Sequence, residues 1–395
     1  MIRIMKEELA YILVVAVVGM AFTFLTMPLL LKFCHMKGFY DLPGGRKVHH
    51  LAVPRLGGVL FMPAMLVGLC VALLLYTNGQ EGIFMLKASS MLMAVGAFLI
   101  YIVGAVDDLV GMKAGHKFAI QLVAALVMPF CGLLINDFYG LFGLHDLPLW
   151  FSYPFTVFVI LLIVNSVNLI DGIDGLASGL CICILVAYVY LFSQMSLTFA
   201  YVLVAAGVLG ALVAFFFYNV WGKAEKGTKA FMGDSGSLFL GYVVAYLSIK
   251  YATSNLPVLP YRPEALMVSY TLLIVPTFDV IRVALFRLWR RRPIFGADKT
   301  HIHHVVMAAG FSMHQAWCII MALFFFFCVW NAFLYAFGVA DTWIVVSDII
   351  FFCLFFVVMH LFALRRARRG SVERDSVACH HEKEVGNHAC GHVNP

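Results

Sequence analysis

Four short polar runs interrupt an otherwise apolar chain of 395 residues: Val106-Asp-Asp-Leu-Val-Gly111, Asn165-Ser-Val-Asn-Leu-Ile-Asp-Gly-Ile-Asp-Gly175, Phe231-Met-Gly-Asp-Ser-Gly-Ser237 and Asp298-Lys-Thr-His-Ile-His-His304. Each lies at the edge of an apolar stretch, where a carboxylate or imidazole is costly without a cation, a phosphate or a partner. Asp107 and Asp108 repel one another unless a divalent cation or a cationic complex sits between them, and a solvated helix end is the plainer alternative for this pair alone. Lys117 and Gln121 follow one helical turn apart, so both can face one groove, and a lysine there meets a phosphate as a point charge.

The second run carries the strongest local signal. Asn165, Asn168, Asp171 and Asp174 recur every third residue and line one side of a tight helical turn, while Gly172, Gly175 and Gly179 let backbone approach a ligand. In the third run, Asp234 suits a hard cation such as magnesium, and the hydroxyls and free N–H groups of a helix start suit phosphate. Helix capping by Ser235 or Asp234 would also explain that run in isolation. His301, His303 and His304 raise zinc, but no fourth ligand or HExxH-type base accompanies them, so they are read as donors to phosphate oxygens. Arg46, Lys47, His49 and Arg55, interspersed with paired glycines, form a cationic segment fit to close over an anionic substrate. Asn219 and Phe231 join Asn165 as candidate substrate contacts.

Positioning these runs falls to membrane helices. A chain that is 63% hydrophobic and 12% charged, with mean hydropathy +0.94, cannot present the polar surface of a soluble fold of this length. Apolar stretches near 9–31, 56–76, 86–106, 118–135, 149–166, 179–193, 197–218, 237–252, 265–286, 316–338 and 343–364 predict an all-α, multi-pass protein of about eleven helices. The first is read as a span and not a cleaved leader, because Glu7 and Glu8 precede it and no small-residue cleavage site follows. With the N-terminus outside, the cytoplasmic segments carry about 21 of the 27 Lys and Arg, and all four polar runs and the C-terminus fall on that side. The ten cysteines have no framework spacing and read as small buried hydrophobes.

Two domains are expected: a membrane domain over 1–364 and a polar, disordered cytoplasmic tail over 365–395. The tail's Arg365-Arg-Ala-Arg-Arg369 reads as an anchor on anionic lipid. Its Cys379, His380, His381, His388, Cys390 and His392 match no standard zinc pattern. No soluble basic domain is present to bind nucleic acid.

Taken in order, these motifs resemble the polyprenyl-phosphate N-acetylhexosamine-1-phosphate transferases over about residues 38–310. The Arg46-to-Gly58 segment and the His301-to-His304 ending look more like the branch that initiates O-antigen, enterobacterial common antigen or teichoic-acid linkage units than the muramyl-pentapeptide branch. The resemblance implies transfer of a sugar 1-phosphate, by default GlcNAc-1-phosphate, from a UDP-N-acetylhexosamine to undecaprenyl phosphate, with release of UMP, in a bacterial plasma membrane. It implies Mg²⁺ (with Mn²⁺ as a substitute) on Asn168 and Asp234, and Asp107 and Asp108 near the lipid phosphate. Asp171 and Asp174 would sit in the catalytic and uridine-facing loop, with Lys117 and the histidines on phosphates. Gly111 stands where the family often has a third aspartate, so that position receives no metal role. A homodimer is a further expectation. Direct in-line attack assisted by Asp107 or Asp108 and an aspartate nucleophile at Asp171 both stay open. A secondary transporter would also use intramembrane aspartates, but should show midplane sites and repeat symmetry. Here the carboxylates gather on one side and the halves do not match.

Overall fold

The computed structural model describes residues 6–41, 53–79, 88–195, 197–254, 259–293 and 300–389. Twelve helices are described: α1 (Lys6–Lys37), α2 (Phe61–Gly79), α3 (Ala88–Val110), α4 (Ala114–Phe130), α5 (Leu149–Ile170), α6 (Leu176–Ser193), α7 (Phe199–Val220), α8 (Gly233–Ala252), α9 (Ala265–Trp289), α10 (Ile302–Ala308), α11 (Met313–Ala336) and α12 (Asp341–Ala389). Each apolar stretch of the sequence holds one helix. Among the described residues nine of these are long and apolar enough to cross a membrane, short of the expected eleven. The physical reason is specific to α4 and α8. The first has only 17 residues, and the second carries Asp234, three serines and Lys250.

Helix α8 can be polar because it does not face lipid. Every residue from Ser235 to Ile249 is buried, and α3, α5, α6, α7 and α9 pack around it. The outer helices do the reverse, turning Leu25, Leu29, Phe130 and Val329 outward as large exposed apolar side chains. Apolar matching to lipid tails gives no drive for such helices to associate, so close packing and interhelical hydrogen bonds must hold the bundle.

Small residues permit that closeness. Tyr40–Asp41 (β1) and Val53–Pro54 (β2) pair antiparallel, and a single 3-10 turn, Gly57–Leu60, follows them into the bundle. A Cβ on Gly58 would lie 2.2 Å from the Cα of Gly236, so this turn and the start of α8 touch backbone to backbone. Gly57 and Gly58 therefore serve packing, where the sequence suggested a hinge. The amide of Gly57 donates to the carbonyl of Phe231 (3.0 Å), and the amide of Phe231 donates to that of Pro54 (2.8 Å).

The polar tail expected from residue 365 begins inside α12, whose backbone stays helical to Ala389. No proline falls between 341 and 389 to stop a helix begun at Asp341.

Candidate active site

Asp107 and Asp108 are neighbours at the end of α3 with separate tasks. Helix α8 has no side-chain cap of its own. Asp108 supplies one from outside: its two oxygens accept the amide hydrogens of Asp234 and Ser235, each at 2.8 Å. A buried carboxylate on the positive end of a helix satisfies two N–H groups that would otherwise have no partner. Asp107 turns the other way. Its Oδ1 accepts the amide of Met112 (2.5 Å) and its Oδ2 meets Lys117 Nζ at 3.1 Å.

Lys117, in the first turn of α4, also reaches Asp234 Oδ2 at 2.6 Å. Asn168, in the last turn of α5, donates from Nδ2 to Asp234 Oδ1 (2.5 Å) and to Ser237 Oγ (2.8 Å). Four helices thus converge on Asp234, and the Asn168–Asp234 proximity required by the sequence argument is met. Asn165 lies one turn earlier, its amide given to Gln121 Oε1 (2.9 Å) and the carbonyl of Leu161 (2.8 Å).

The loop between α5 and α6 carries Asp171 and Asp174. Asp174 forms a buried ion pair with Lys229 at 2.6 Å, the side chains being 6% and 12% exposed. Among the described residues Asp171 makes no side-chain hydrogen bond or ion pair. Burial pushes its carboxyl up to about 7, with repulsion from Asp174, Asp234 and Asp108 adding to the effect. The loop is pinned at Gly175, whose amide donates to Asn219 Oδ1 (2.7 Å) and whose carbonyl accepts from Trp317 Nε1 (2.9 Å). Asn219 Nδ2 donates in turn to the carbonyl of Ala230 (3.0 Å), so this side chain is spent on framework.

The histidine run joins the same place. A Cβ on Gly172 would lie 2.1 Å from His303 Nε2, so the imidazole rests on the loop backbone. His303 is buried, its Nδ1 is without a hydrogen-bond partner, and burial together with its His304 and His301 neighbours pushes it down to about 3. His301 Nδ1 donates to Asp279 Oδ2 at 2.8 Å, and Asp279 Oδ1 accepts from Ile302 N (2.9 Å) and Arg282 Nη2 (2.8 Å). Arg282 also donates to the carbonyl of Thr300. The His304 ring lies tilted against His303, with ring centroids 4.3 Å apart.

Arg55 lies at the near edge, its carbonyl against Gly233 and its Nε buried without a hydrogen-bond partner. Arg46, Lys47 and His49, like Asp298 and Lys299, lie outside the described residues. Sequence reasoning passed over Asp279, Arg282 and Lys229. Asp279 had a signal, an acid inside the apolar stretch 265–286. Lys229 counted only as a topology charge, and nothing local tied it to Asp174.

Comparison with known proteins bears on this geometry. Residues 90–252, which hold Asp107, Asp108, Lys117, the α5–α6 loop and Asp234, match the model for glycosyl transferase family 4. A Bacillus subtilis protein named probable undecaprenyl-phosphate N-acetylglucosaminyl 1-phosphate transferase is 32% identical over 328 residues, 82% of this chain and 85% of that protein. The chain belongs to glycosyl transferase family 4. Proteins from Yersinia pestis (29% over 319 residues, 80% of each chain) and Escherichia coli K12 (27% over 285 residues, 72% of this chain and 73% of that one) are both named undecaprenyl-phosphate alpha-N-acetylglucosaminyl 1-phosphate transferase. These names lend a homodimer no support. As a glycosyl transferase family 4 enzyme with, among the described residues, nine apolar helices long enough to span, it is a membrane protein.

A metal fits the cluster in one manner. Among the described residues no group of three or more His, Cys, Asp or Glu makes a ready cage. Asp234, 29% exposed at its side chain, and the amide beside it on Asn168 offer hard oxygen donors. Magnesium bound by so few protein ligands keeps water and shares substrate phosphates.

Proposed function

We propose that this enzyme transfers GlcNAc-1-phosphate from UDP-GlcNAc to undecaprenyl phosphate, releasing UMP, at the cytoplasmic face of a bacterial plasma membrane. The observation that carries the reading is the meeting of Asn168 (2.5 Å) and Lys117 (2.6 Å) on Asp234, with Lys117 also bound to Asp107 (3.1 Å), in a chain of this family. Asp234 and Asn168 would hold Mg²⁺, or Mn²⁺ in its place, which when bound supplies charge neutralisation for the phosphates.

The remaining work belongs to side chains. Joining two phosphates brings several negative charges together, so positioning and charge neutralisation dominate the barrier. Lys117 has two ammonium hydrogens engaged by Asp107 and Asp234 and a third to give a phosphate oxygen. Arg55, whose carbonyl lies against Gly233 at the start of α8, has a further buried guanidinium donor without a hydrogen-bond partner. Asp171, poised near neutrality, takes the second proton of the lipid phosphate, whose own pKa is about 6. The freed oxygen attacks the sugar-side phosphorus of UDP-GlcNAc, and the bond to the UMP oxygen breaks. This assigns proton removal to Asp171 and leaves Asp108 as the cap of α8. Asp174 and Lys229 hold the loop, and His301 and His303 wall it.

Three measurements test the reading. UMP release from UDP-GlcNAc and undecaprenyl phosphate should be abolished in Asp234→Ala, with the protein still folded in the membrane. Chelation of divalent cations should stop the wild-type reaction. Single-turnover mass analysis should find no phosphorylated or UMP-bearing protein, whereas a covalent adduct on Asp171 would replace direct attack by an aspartate nucleophile.

A further inference from the structure

A second polar feature lies at the opposite end of the bundle. Where α9 begins, α11 ends and α12 begins, a cavity of about 350 Å³ opens, within the range of small-molecule sites. Most of its walls are apolar, among them Met267, Leu272, Ala332 and Ile344. Its polar lining includes Thr271, Asn331, Glu264 at the N-cap of α9 and Tyr335 in the last turn of α11. Among the described residues no Lys, Arg or His lines it.

Behind Asn331 stands Asp348, 0% exposed in a membrane-spanning helix. Asn331 Nδ2 donates to Thr271 Oγ1 (2.9 Å) and Asp348 Oδ2 (3.0 Å). Asn331 Oδ1 and Asp348 Oδ1 are both buried without a hydrogen-bond partner. The hydroxyl of Tyr270 lies beside Asp348 and is its one further donor among the described residues, but a neutral hydroxyl cannot neutralise a carboxylate. Of the other shielded acids, Asp174 has Lys229, Asp279 has Arg282, Asp107 has Lys117, and Asp108 has two backbone amides, while Asp171 in the active site has neither among the described residues. Asp348 has no cation among the described residues. A buried acid in a membrane segment with surplus acceptors around it calls for a positively charged donor.

We propose that this cavity binds a primary ammonium borne on a short apolar body, with Asn331 Oδ1 as hydrogen-bond acceptor and Asp348 and Glu264 as counter-charges. The amine belongs either to a free amphiphile or to a lipid headgroup. Both present the same –NH₃⁺, and both reach the site from the membrane.

Cys328 lines the cavity and reports on it. In the purified full-length protein, alkylation of Cys328 is followed by peptide-resolved mass spectrometry with hexylamine or hexanol present. Saturating hexylamine should slow modification about tenfold, and hexanol should not. Glu264→Gln, a change at the cavity edge, and Asp348→Asn should each weaken the hexylamine effect. Asp348→Asn also tests whether the protein folds without the charge. In lipid nanodiscs, protection by phosphatidylethanolamine over phosphatidylglycerol without added amine assigns a headgroup. Protection by hexylamine alone assigns a free amine. Equal protection by hexylamine and hexanol, no protection by either, or full protection retained in Glu264→Gln would overturn the proposal and leave the cluster as an interhelical clamp.

Discussion

The junction of α3, α4, α5 and α8 and the loop between α5 and α6 are both rich in acid, yet they treat it differently. At the junction the carboxylates are engaged: Asp108 on two amides, Asp107 on an amide and Lys117, Asp234 on Lys117 and Asn168. In the loop, Asp174 is paired with Lys229 while Asp171 stands without a partner among the described residues. Satisfied carboxylates fix distances before substrate arrives, which is the preorganisation that electrostatic catalysis needs. An unsatisfied one keeps its affinity for a proton. The acid proposed to move a proton and the acids that hold the frame thus differ in what they touch, not in residue type.

The largest expected effect breaks that contrast at its free end. Asp171→Asn should lower turnover by about 10² to 10⁴, the usual worth of a general base. Its effect on stability has the opposite sign and depends on pH. The folded-state value of about 7 lies above the roughly 3.9 of an unfolded aspartate, so as pH rises the unfolded chain releases its proton first. The native state therefore loses stability between about pH 4 and pH 7 and bears the full cost above that. Asp171→Asn should raise the Tm at pH 8 and leave it unchanged near pH 4. A Tm that falls at pH 8 would mean that the carboxylate is held by a cation in the membrane.

Next in size is the paired neighbour. Asp174→Asn leaves Lys229 buried without its counter-charge, and breaking such a pair costs about 3 kcal/mol. Adding Lys229→Met should recover much of the lost Tm but little of the turnover, because the pair also positions the loop that carries Asp171. Full recovery of both would reduce the pair to an interchangeable packing element.

Asp107 and Asp108 sharpen the comparison within one junction. Asp108→Ala removes the cap of α8 and should cost about 1 to 2 kcal/mol, lowering Tm and turnover together. Asp107→Ala should lower turnover with a smaller change in Tm, since it faces Lys117 and not a helix end. Equal thermal shifts in the two variants would show that the site tolerates the loss of either carboxylate alike.

The sequence disclosed much of this and withheld the rest for physical reasons. The apolar stretches located the helices, because lipid demands long apolar runs whatever the sequence between them. The triplet spacing of Asn165, Asn168, Asp171 and Asp174 predicted one helical turn, but only the first two lie on α5, which ends at Ile170 and leaves Asp171 and Asp174 in the loop that follows. What was illegible was long-range. Nothing in Asp107-Asp108 says that one caps a helix 126 residues later while the other faces Lys117. The paired glycines suggested a hinge, and only the backbone of Gly236 shows why a side chain could not fit. Asp279 was visible as an intramembrane acid, but its hold on His301 spans 22 residues.

The smallest expected effect concerns Asn219, which the sequence offered as a substrate contact. Its side chain bridges the amide of Gly175 and the carbonyl of Ala230, both buried. Asn219→Ala leaves both without this partner and should cost about 1 kcal/mol of stability. The direct measurement is the pairing of Tm with KM for UDP-GlcNAc. A bridge between the Asp171 loop and the segment before α8 predicts a lower Tm and a modest loss of turnover at unchanged KM, because both banks of the site shift while no substrate contact is lost. A raised KM at unchanged Tm would place Asn219 on the substrate, and with it move the boundary between frame and reacting groups one residue layer deeper into the bundle.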